Sequence, residues 1–185
     1  MTPSATPLLH PSPAPSFDDP LGMLLACHVR MRRQLATLER LRTHVPIYGA
    51  DADARTAASA VLRYFDQAAP NHHADEDRSL LPRLVERAPE VESVARRITE
   101  DHDALERLWR KLRPLLSGIA AGRNEALPPA LVHEVCGAYL AHLDREESDV
   151  IPIARERLDD AALLAIGREF ASRRGQSFGG ERAKI

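Results

Sequence analysis

A sixteen-residue pattern occurs twice in this chain of 185 residues. HHADEDRSLLPRLVER at positions 72–87 aligns without a gap on HLDREESDVIPIARER at positions 142–157. Each copy reads His, three residues, Glu, five residues, Pro, and ends in Glu-Arg. In a helix, residues four apart differ by about 40° around the axis and lie one turn apart on one face. The repeat therefore predicts that His72 and Glu76 project side by side, and that His142 and Glu146 do the same.

A single histidine precedes each copy on an apolar helical face. His28 lies 44 residues before His72, and His102 lies 40 residues before His142. Apolar residues occupy the helical offsets around both: Leu21, Leu24, Leu25, Met31 and Leu35 around His28, and Ala95, Ile98, Leu105 and Trp109 around His102. The chain is thus predicted to contain two similar helical hairpins that aim histidines from four helices at one interior.

The fold class follows from this periodicity and from composition. The chain is 44% hydrophobic, 4% aromatic and 28% charged, and it is rich in Ala, Leu and Arg, which favour helices over sheets. The pattern predicts long helices at about residues 20–43, 51–81, 89–121 and 129–152, and a short one at 160–174, with 45–51 as a connection. Pro70 should produce a kink or bulge. We therefore expect an all-α, up-and-down four-helix bundle with an additional short C-terminal helix.

The bundle is predicted to occupy residues 17–174. Residues 1–16 hold five of the 14 prolines and should form a disordered arm, because proline neither propagates a helix nor enters a sheet centre. Asp19 should cap the first helix, with Pro20 at its first position. Residues 175–185 follow a glycine stop and are expected to form a flexible tail.

Several classes of function are disfavoured by composition. A formal charge of −2 gives no electrostatic reason to bind nucleic acid. Cys27 and Cys136 make no disulfide framework, so a reducing compartment is expected. No apolar run approaches the roughly 20 residues needed to cross a bilayer, and the N-terminus does not resemble a signal peptide. We expect a soluble, cytoplasmic protein with neither nucleic acid nor membrane as a partner.

The buried donors point to metal chemistry. Several imidazoles and two carboxylates inside an apolar bundle would be costly without compensation. Nitrogen and oxygen donors of this kind suit Fe, Mn, Zn or Cu, and bridging carboxylates suit a pair of ions. Zinc accepts the same donors as iron, so the residues alone leave the metal open.

The motifs HHADED…LLP and HLDREES…VIP, with single histidines in ACHVR and EDHDAL, resemble the hemerythrin-like, or HHE cation-binding, family over about residues 17–155. The resemblance implies a four-helix bundle around an oxo- or hydroxo-bridged non-haem di-iron site. Zinc or manganese would be the alternative metal. The ligands that it implies are His28, His72, Glu76, His102, His142 and Glu146, with the two glutamates as bridges.

One position departs from the oxygen-carrying hemerythrins. Those proteins have a second histidine four residues after the third-helix ligand, and this chain has Glu106 there. The set of four histidines and two glutamates is more similar to bacterial members linked to peroxide, nitric oxide or iron handling. His73, Glu106 and Tyr139 remain open as outer-shell groups or extra ligands. The neighbouring acids are expected to face water, where they could also help to capture a cation: Asp75, Asp77, Asp144, Glu147 and Asp149.

The leading hypothesis is a di-iron protein that binds, senses or detoxifies O2, H2O2 or NO. No catalytic residue is assigned, and whether the ligand is also turned over stays open. One alternative is iron storage or delivery for iron–sulfur cluster repair, although relatives with that role often carry an N-terminal domain with paired cysteines. Another is a metal-dependent signalling module, which would act through an unknown protein partner.

Overall fold

The structure is a computed structural model that describes residues 16–178. Within this range the chain is helical and contains no strand, which confirms the all-α prediction. The predicted arm at residues 1–16 lies outside the described residues except for Ser16, and so does the 179–185 part of the predicted tail. No described helix combines the length and the apolar character that crossing a membrane requires.

Five continuous helical segments make up the described chain. The first is α1 (Pro20–Tyr48). The second joins α2 (Ala52–Arg63), a π-helical turn (Tyr64–Ala68), α3 (Ala69–Asp75), a second π-helical turn (Glu76–Leu80) and α4 (Leu81–Arg87). The third is a 3₁₀ turn (Pro89–Val91) followed by α5 (Glu92–Ala120). The fourth joins α6 (Pro129–Arg145), a π-helical turn (Glu146–Val150) and α7 (Ile151–Arg157), and the last is α8 (Asp160–Arg173).

The first helix begins where the sequence predicts and ends later. Asp19 caps it by accepting a hydrogen bond of 2.8 Å from the backbone N–H of Gly22. The helix continues past Pro46 to Tyr48, so the prediction of a connection starting at Val45 was wrong. A proline in the last turn removes only one N–H, and the carbonyl of Val45 still accepts a 2.8 Å hydrogen bond from Gly49. Gly49 then ends the helix with φ 73°.

Each π-helical turn precedes a proline. Pro70, Pro82 and Pro152 each stand second in the α-helical stretch that follows such a turn. The wider turn lets the chain continue past a residue that lacks an N–H and crowds the preceding turn. The bulge predicted at Pro70 is confirmed. The π-helical turns before Pro82 and Pro152 likewise let two helical segments continue beyond their predicted ends, to residues 87 and 157.

The long segments pack into a helical bundle. Helices α1 and α5 each pack against α2 and α6, while the predicted up-and-down order of four helices stays a prediction. In the structure α8 packs against α1, α3 and the second π-helical turn of its own chain. Helix α8 also lies very close to the residues before α1, since a Cβ on Gly167 would lie 1.8 Å from the carbonyl oxygen of Phe17.

The bundle contains two apolar clusters. One includes Met31, Leu112 and Leu143, and the other includes Leu24 and Ile98. The six predicted ligand residues lie on α1, on α5 and on the two segments that contain the repeat. On each of these elements they fall between members of the two clusters. The fold therefore places a thin polar layer inside an otherwise apolar interior.

Candidate metal centre

The structure brings all six sequence-predicted ligand residues together in this polar layer. Each is buried, and none is more than 6% exposed: His28, His72, Glu76, His102, His142 and Glu146. Helices α1 and α5 contribute one histidine each, and each copy of the repeat contributes a histidine and a glutamate. In both copies the glutamate is the first residue of a π-helical turn.

Glu146 lies between two pairs of histidines. Its Oε2 atom is 2.9 Å from Nε2 of His28 and 3.8 Å from Nε2 of His72. Its Oε1 atom is 2.7 Å from Nε2 of His142 and 3.8 Å from Nε2 of His102. One carboxylate thus presents a separate oxygen to each pair.

Glu76 repeats this arrangement from the opposite motif. Its Oε1 atom is 3.5 Å from Nε2 of His72, and its Oε2 atom is 3.2 Å from Nε2 of His102. Both glutamates therefore span the same two groups, with His28 and His72 on one side and His102 and His142 on the other. A carboxylate that offers one oxygen to each of two positions suits a bridge between two ions.

Many of these atoms have no hydrogen-bond partner among the described residues. The buried atoms without one include Nε2 of all four histidines, Oε2 of Glu76 and both carboxylate oxygens of Glu146. Nδ1 of His72 and of His142 also has none. Buried polar atoms are nearly always satisfied in folded proteins, so this concentration is itself informative. Imidazole nitrogens and carboxylate oxygens are donors for transition metals, and the residues present therefore fit a metal pair.

Two acidic residues orient the single histidines. Nδ1 of His28 lies 2.9 Å from Oε1 of Glu147, and Nδ1 of His102 lies 2.9 Å from Oδ2 of Asp77. The prediction that these acids simply face water was wrong, because each is about one-third exposed and turned toward a ring nitrogen. A signal existed in the sequence, where an acid directly follows the glutamate in both copies of the repeat. Such carboxylate–histidine pairs fix the ring and raise the basicity of the other nitrogen.

The orienting acids are themselves held in place. Arg32 donates hydrogen bonds to Glu147 at 2.6 Å and to Asp144 at 2.7 Å. The Thr99 hydroxyl donates to Asp77 at 2.8 Å. Asp144 is exposed, in agreement with the sequence-based expectation. The polar layer therefore has an outer ring of contacts that links α1, α5 and both copies of the repeat.

Asp75 lies at the contact between α3 and the C-terminal helix. It was expected to face water, and its side chain is 1% exposed. Arg173 donates a hydrogen bond to one carboxylate oxygen, and Arg174 donates to the other at 2.6 Å. Both arginines come from the end of α8 and its next residue. The side chain therefore ties the C-terminal helix to the residue beside Glu76.

The electrostatics of the two glutamates differ. Burial raises the pKa of Glu76 well above its ordinary value, and the neighbouring charge of Glu146 raises it further. Burial alone would also raise the pKa of Glu146, but contacts with four histidines hold it well below its ordinary value. Burial would lower the pKa of His102, whereas the carboxylates of Asp77, Glu146 and Glu76 together raise it to about 11.

The three residues left open by the sequence have different positions. His73 is partly buried, and its ring stacks on His102 with centroids 4.1 Å apart. Burial, with the nearby His102, holds the pKa of His73 well below its ordinary value. Glu106 is 68% exposed and lies 4.0 Å from Arg110, so it does not join the six buried side chains. Tyr139 is buried, and its ring centroid is 5.0 Å from that of Phe65.

A cavity of about 420 Å³ adjoins the polar layer. Its lining includes the buried His102 and Tyr139, the partly buried His73, and exposed residues such as Glu106 and Arg110. Because buried and exposed residues line the same space, it connects the surface with one side of the site. Aromatic residues also line the cavity, including Phe65 and the chain's single tryptophan, Trp109.

Comparisons with known proteins agree with the geometry. The family model described as hemerythrin HHE cation binding domain matches residues 19–154, which include all six buried ligand candidates. A protein of Haemophilus influenzae described as uncharacterized is 26% identical over 167 residues, which cover 90% of this chain and 96% of that protein. The relative's description adds no activity, so the family and the site carry the functional conclusion.

Proposed function

The chain belongs to the hemerythrin HHE cation-binding domain family, and we propose that it holds two iron ions and uses them to bind, sense or detoxify O2, H2O2 or NO. One observation carries the proposal: Glu76 and Glu146 each turn one oxygen toward the histidines on one side and the other oxygen toward those on the opposite side. This arrangement supports two metal positions that share both carboxylates.

The protein's own residues would bind the metal ions, and the acids around the site orient the histidines that do so. Glu147 and Asp77 are acceptors, so Nδ1 of His28 and of His102 carries a proton, and Nε2 of each ring faces the interior, where it could bind a metal once that nitrogen has no proton. Iron, when bound, would supply redox chemistry and an open coordination position for a diatomic or peroxide ligand. Apolar clusters on both sides of the site exclude bulk water from these donors.

The cavity supports a small ligand. Its lining includes His102 together with Phe65, Trp109 and Tyr139, and its volume of about 420 Å³ leaves room for O2, H2O2 or NO. The exposed end carries both acidic and basic side chains, including Glu106 and Arg110. These features favour a small neutral molecule that enters through a mixed-charge opening and meets aromatic walls.

The first test is metal content by mass spectrometry together with the near-UV and visible spectrum of protein expressed with iron. We expect about two irons per chain, in keeping with the two positions that the bridging carboxylates define. The His72→Ala/His142→Ala double variant should lose both metal and absorption. The matched control is His44→Ala/His133→Ala, which removes two histidines outside the polar layer and should retain both.

Ligand choice is tested on the same material. Diferrous protein is titrated separately with O2, H2O2 and NO while the spectrum is recorded. A saturable change with at least one ligand, absent from the His72→Ala/His142→Ala variant, supports the proposal. No spectral response to any of the three, or retention of zinc in place of iron, would contradict it.

A further inference from the structure

We propose that His73 is a fifth histidine ligand, on the side of the metal pair formed by His102 and His142. The inference rests on the proposed di-metal function and goes beyond its set of four histidines and two glutamates. It makes the two metal positions unequal, with two histidines at one and three at the other.

Proximity is the first support. One nitrogen each from His73, His102 and His142 lie within 4.8 Å of one another. The rings of His73 and His102 are stacked, with 4.1 Å between centroids and 14° between planes. The His73 ring also meets that of His142 edge-on, with centroids 5.7 Å apart. Metal–imidazole bonds are about 2.0–2.1 Å long, so donors on one metal are separated by roughly 3–4 Å. Stacked rings direct their lone pairs nearly parallel, so the His73 ring must turn before its nitrogen can share an ion with those of His102 and His142.

An unsatisfied buried atom is the second support. Nε2 of His73 is buried and has no hydrogen-bond partner among the described residues, like Nε2 of His102 and of His142. A surface or purely structural histidine would normally turn such an atom to water or to a partner. In His73 this atom stays buried, and the ring lies against those of His102 and His142, whose Nε2 atoms need the same compensation.

The direction of α3 explains how adjacent histidines can both contribute. Consecutive residues on a helix point about 100° apart. His72 uses this difference to approach His28, with ring centroids 5.0 Å apart, whereas His73 approaches His102. Because the site extends from α1 to α5, the two rings serve opposite sides of it.

No other described residue supplies this nitrogen. The equivalent position in the second copy of the repeat is Leu143, a fully buried member of the apolar core. Glu106, one turn after His102, is exposed and pairs with Arg110. His73 therefore gives the His102 side a third imidazole from a different helix, and only one of the two copies of the repeat can do so.

A ligand count decides the matter, because loss of affinity alone would also follow from removing an outer-shell group. The protein is loaded with Co²⁺ as the probe, with histidines labelled by ¹⁵N, and metal content is measured first. Proton and ¹⁵N NMR then count the imidazole groups with large contact shifts, which reach a ring only through a bond to the metal. We expect five such groups in the unaltered protein, four in His73→Gln, and five in the control His133→Gln, whose exposed side chain lies outside the site.

The outcomes separate the two proposals. Two cobalt ions with five shifted imidazoles support His73 as a ligand. Two ions with only four, in both the unaltered protein and the His73→Gln variant, would overturn this inference and leave the di-metal proposal standing. No uptake of a metal pair would overturn both. The count in the unaltered protein decides the question even if His73→Gln fails to fold.

Discussion

Glu147 accepts a 2.9 Å hydrogen bond from Nδ1 of His28, although 119 residues separate the two side chains. Asp77 does the same for His102. The single histidine of each hairpin is therefore oriented by an acid from the other hairpin's copy of the repeat. These two hydrogen bonds connect the two halves of the chain through the site.

Replacement of an orienting acid should weaken metal binding without unfolding the protein. We expect Glu147→Ala and Asp77→Ala each to lower metal affinity about 10- to 100-fold, because the imidazole loses its fixed orientation and part of its basicity. Competition with a chelator of known affinity measures the effect, and circular dichroism checks the fold. Glu134→Ala, which alters an exposed acid on α6, should leave affinity unchanged. Equal affinities in all three variants would refute the assigned role.

The two buried glutamates of the site should respond differently, in metal-free protein, when each carboxylate is replaced by an amide. Burial raises the pKa of Glu76, which makes its carboxyl easier to protonate than that of Glu146, so Glu76→Gln should change the free energy of unfolding by less than about 1 kcal/mol. Contacts with four histidines lower the pKa of Glu146, and Glu146→Gln should cost about 3 kcal/mol, because the amide removes the buried negative charge that these rings surround. Both variants should lose metal. Urea denaturation of metal-free protein tests the difference, and equal costs would count against it.

Removal of Asp75 should be strongly destabilising. Asp75→Ala leaves Arg173 and Arg174 without their shared, buried carboxylate, and we expect a loss of about 3 kcal/mol in the free energy of unfolding. Asp149→Ala removes an exposed acid from the same part of the second repeat, and it should change stability by less than about 0.5 kcal/mol. Urea titration followed by circular dichroism measures both. A cost below about 1 kcal/mol for Asp75→Ala would show that α8 is not anchored there.

The contribution of Asp66 to the free energy of unfolding should disappear at acidic pH. Burial would raise its pKa, but hydrogen bonds from Arg113 and Trp109 hold the pKa below its ordinary value of 3.8. A lowered pKa stabilises the fold above the ordinary value, and this stabilisation is lost as pH falls through the folded-state pKa.

The test of Asp66 compares unfolding of Asp66→Asn with that of the unaltered protein. We expect the variant to be less stable by about 1 kcal/mol near pH 7, and the difference to vanish as the pH falls below about 4. Trp109, the single tryptophan, reports unfolding by fluorescence. A difference that stays constant down to pH 2.5 would show that the charge of Asp66 is not responsible.

Local geometry explains what could be predicted without the fold. His72 and Glu76 face the same way because of a four-residue spacing, and the same holds for His142 and Glu146. Apolar neighbours likewise predict that His28 looks inward. The wrong predictions of exposed acids have a common origin. The polarity of Asp75 predicts a residue that faces water, but its partners, Arg173 and Arg174, lie 98 and 99 residues later in the sequence. No local pattern contains a contact of that range.

The sequence by itself determined the helical character of the chain, the repeated histidine–glutamate pairs and the set of donors that could share an interior, because helical periodicity fixes the face on which each residue lies. Only the tertiary structure decided which oxygen of Glu146 meets which histidine, that Glu147 crosses to His28, and that His73 stacks on His102. These relationships depend on how far and at what rotation separate helices pack, and packing is decided by the whole core at once.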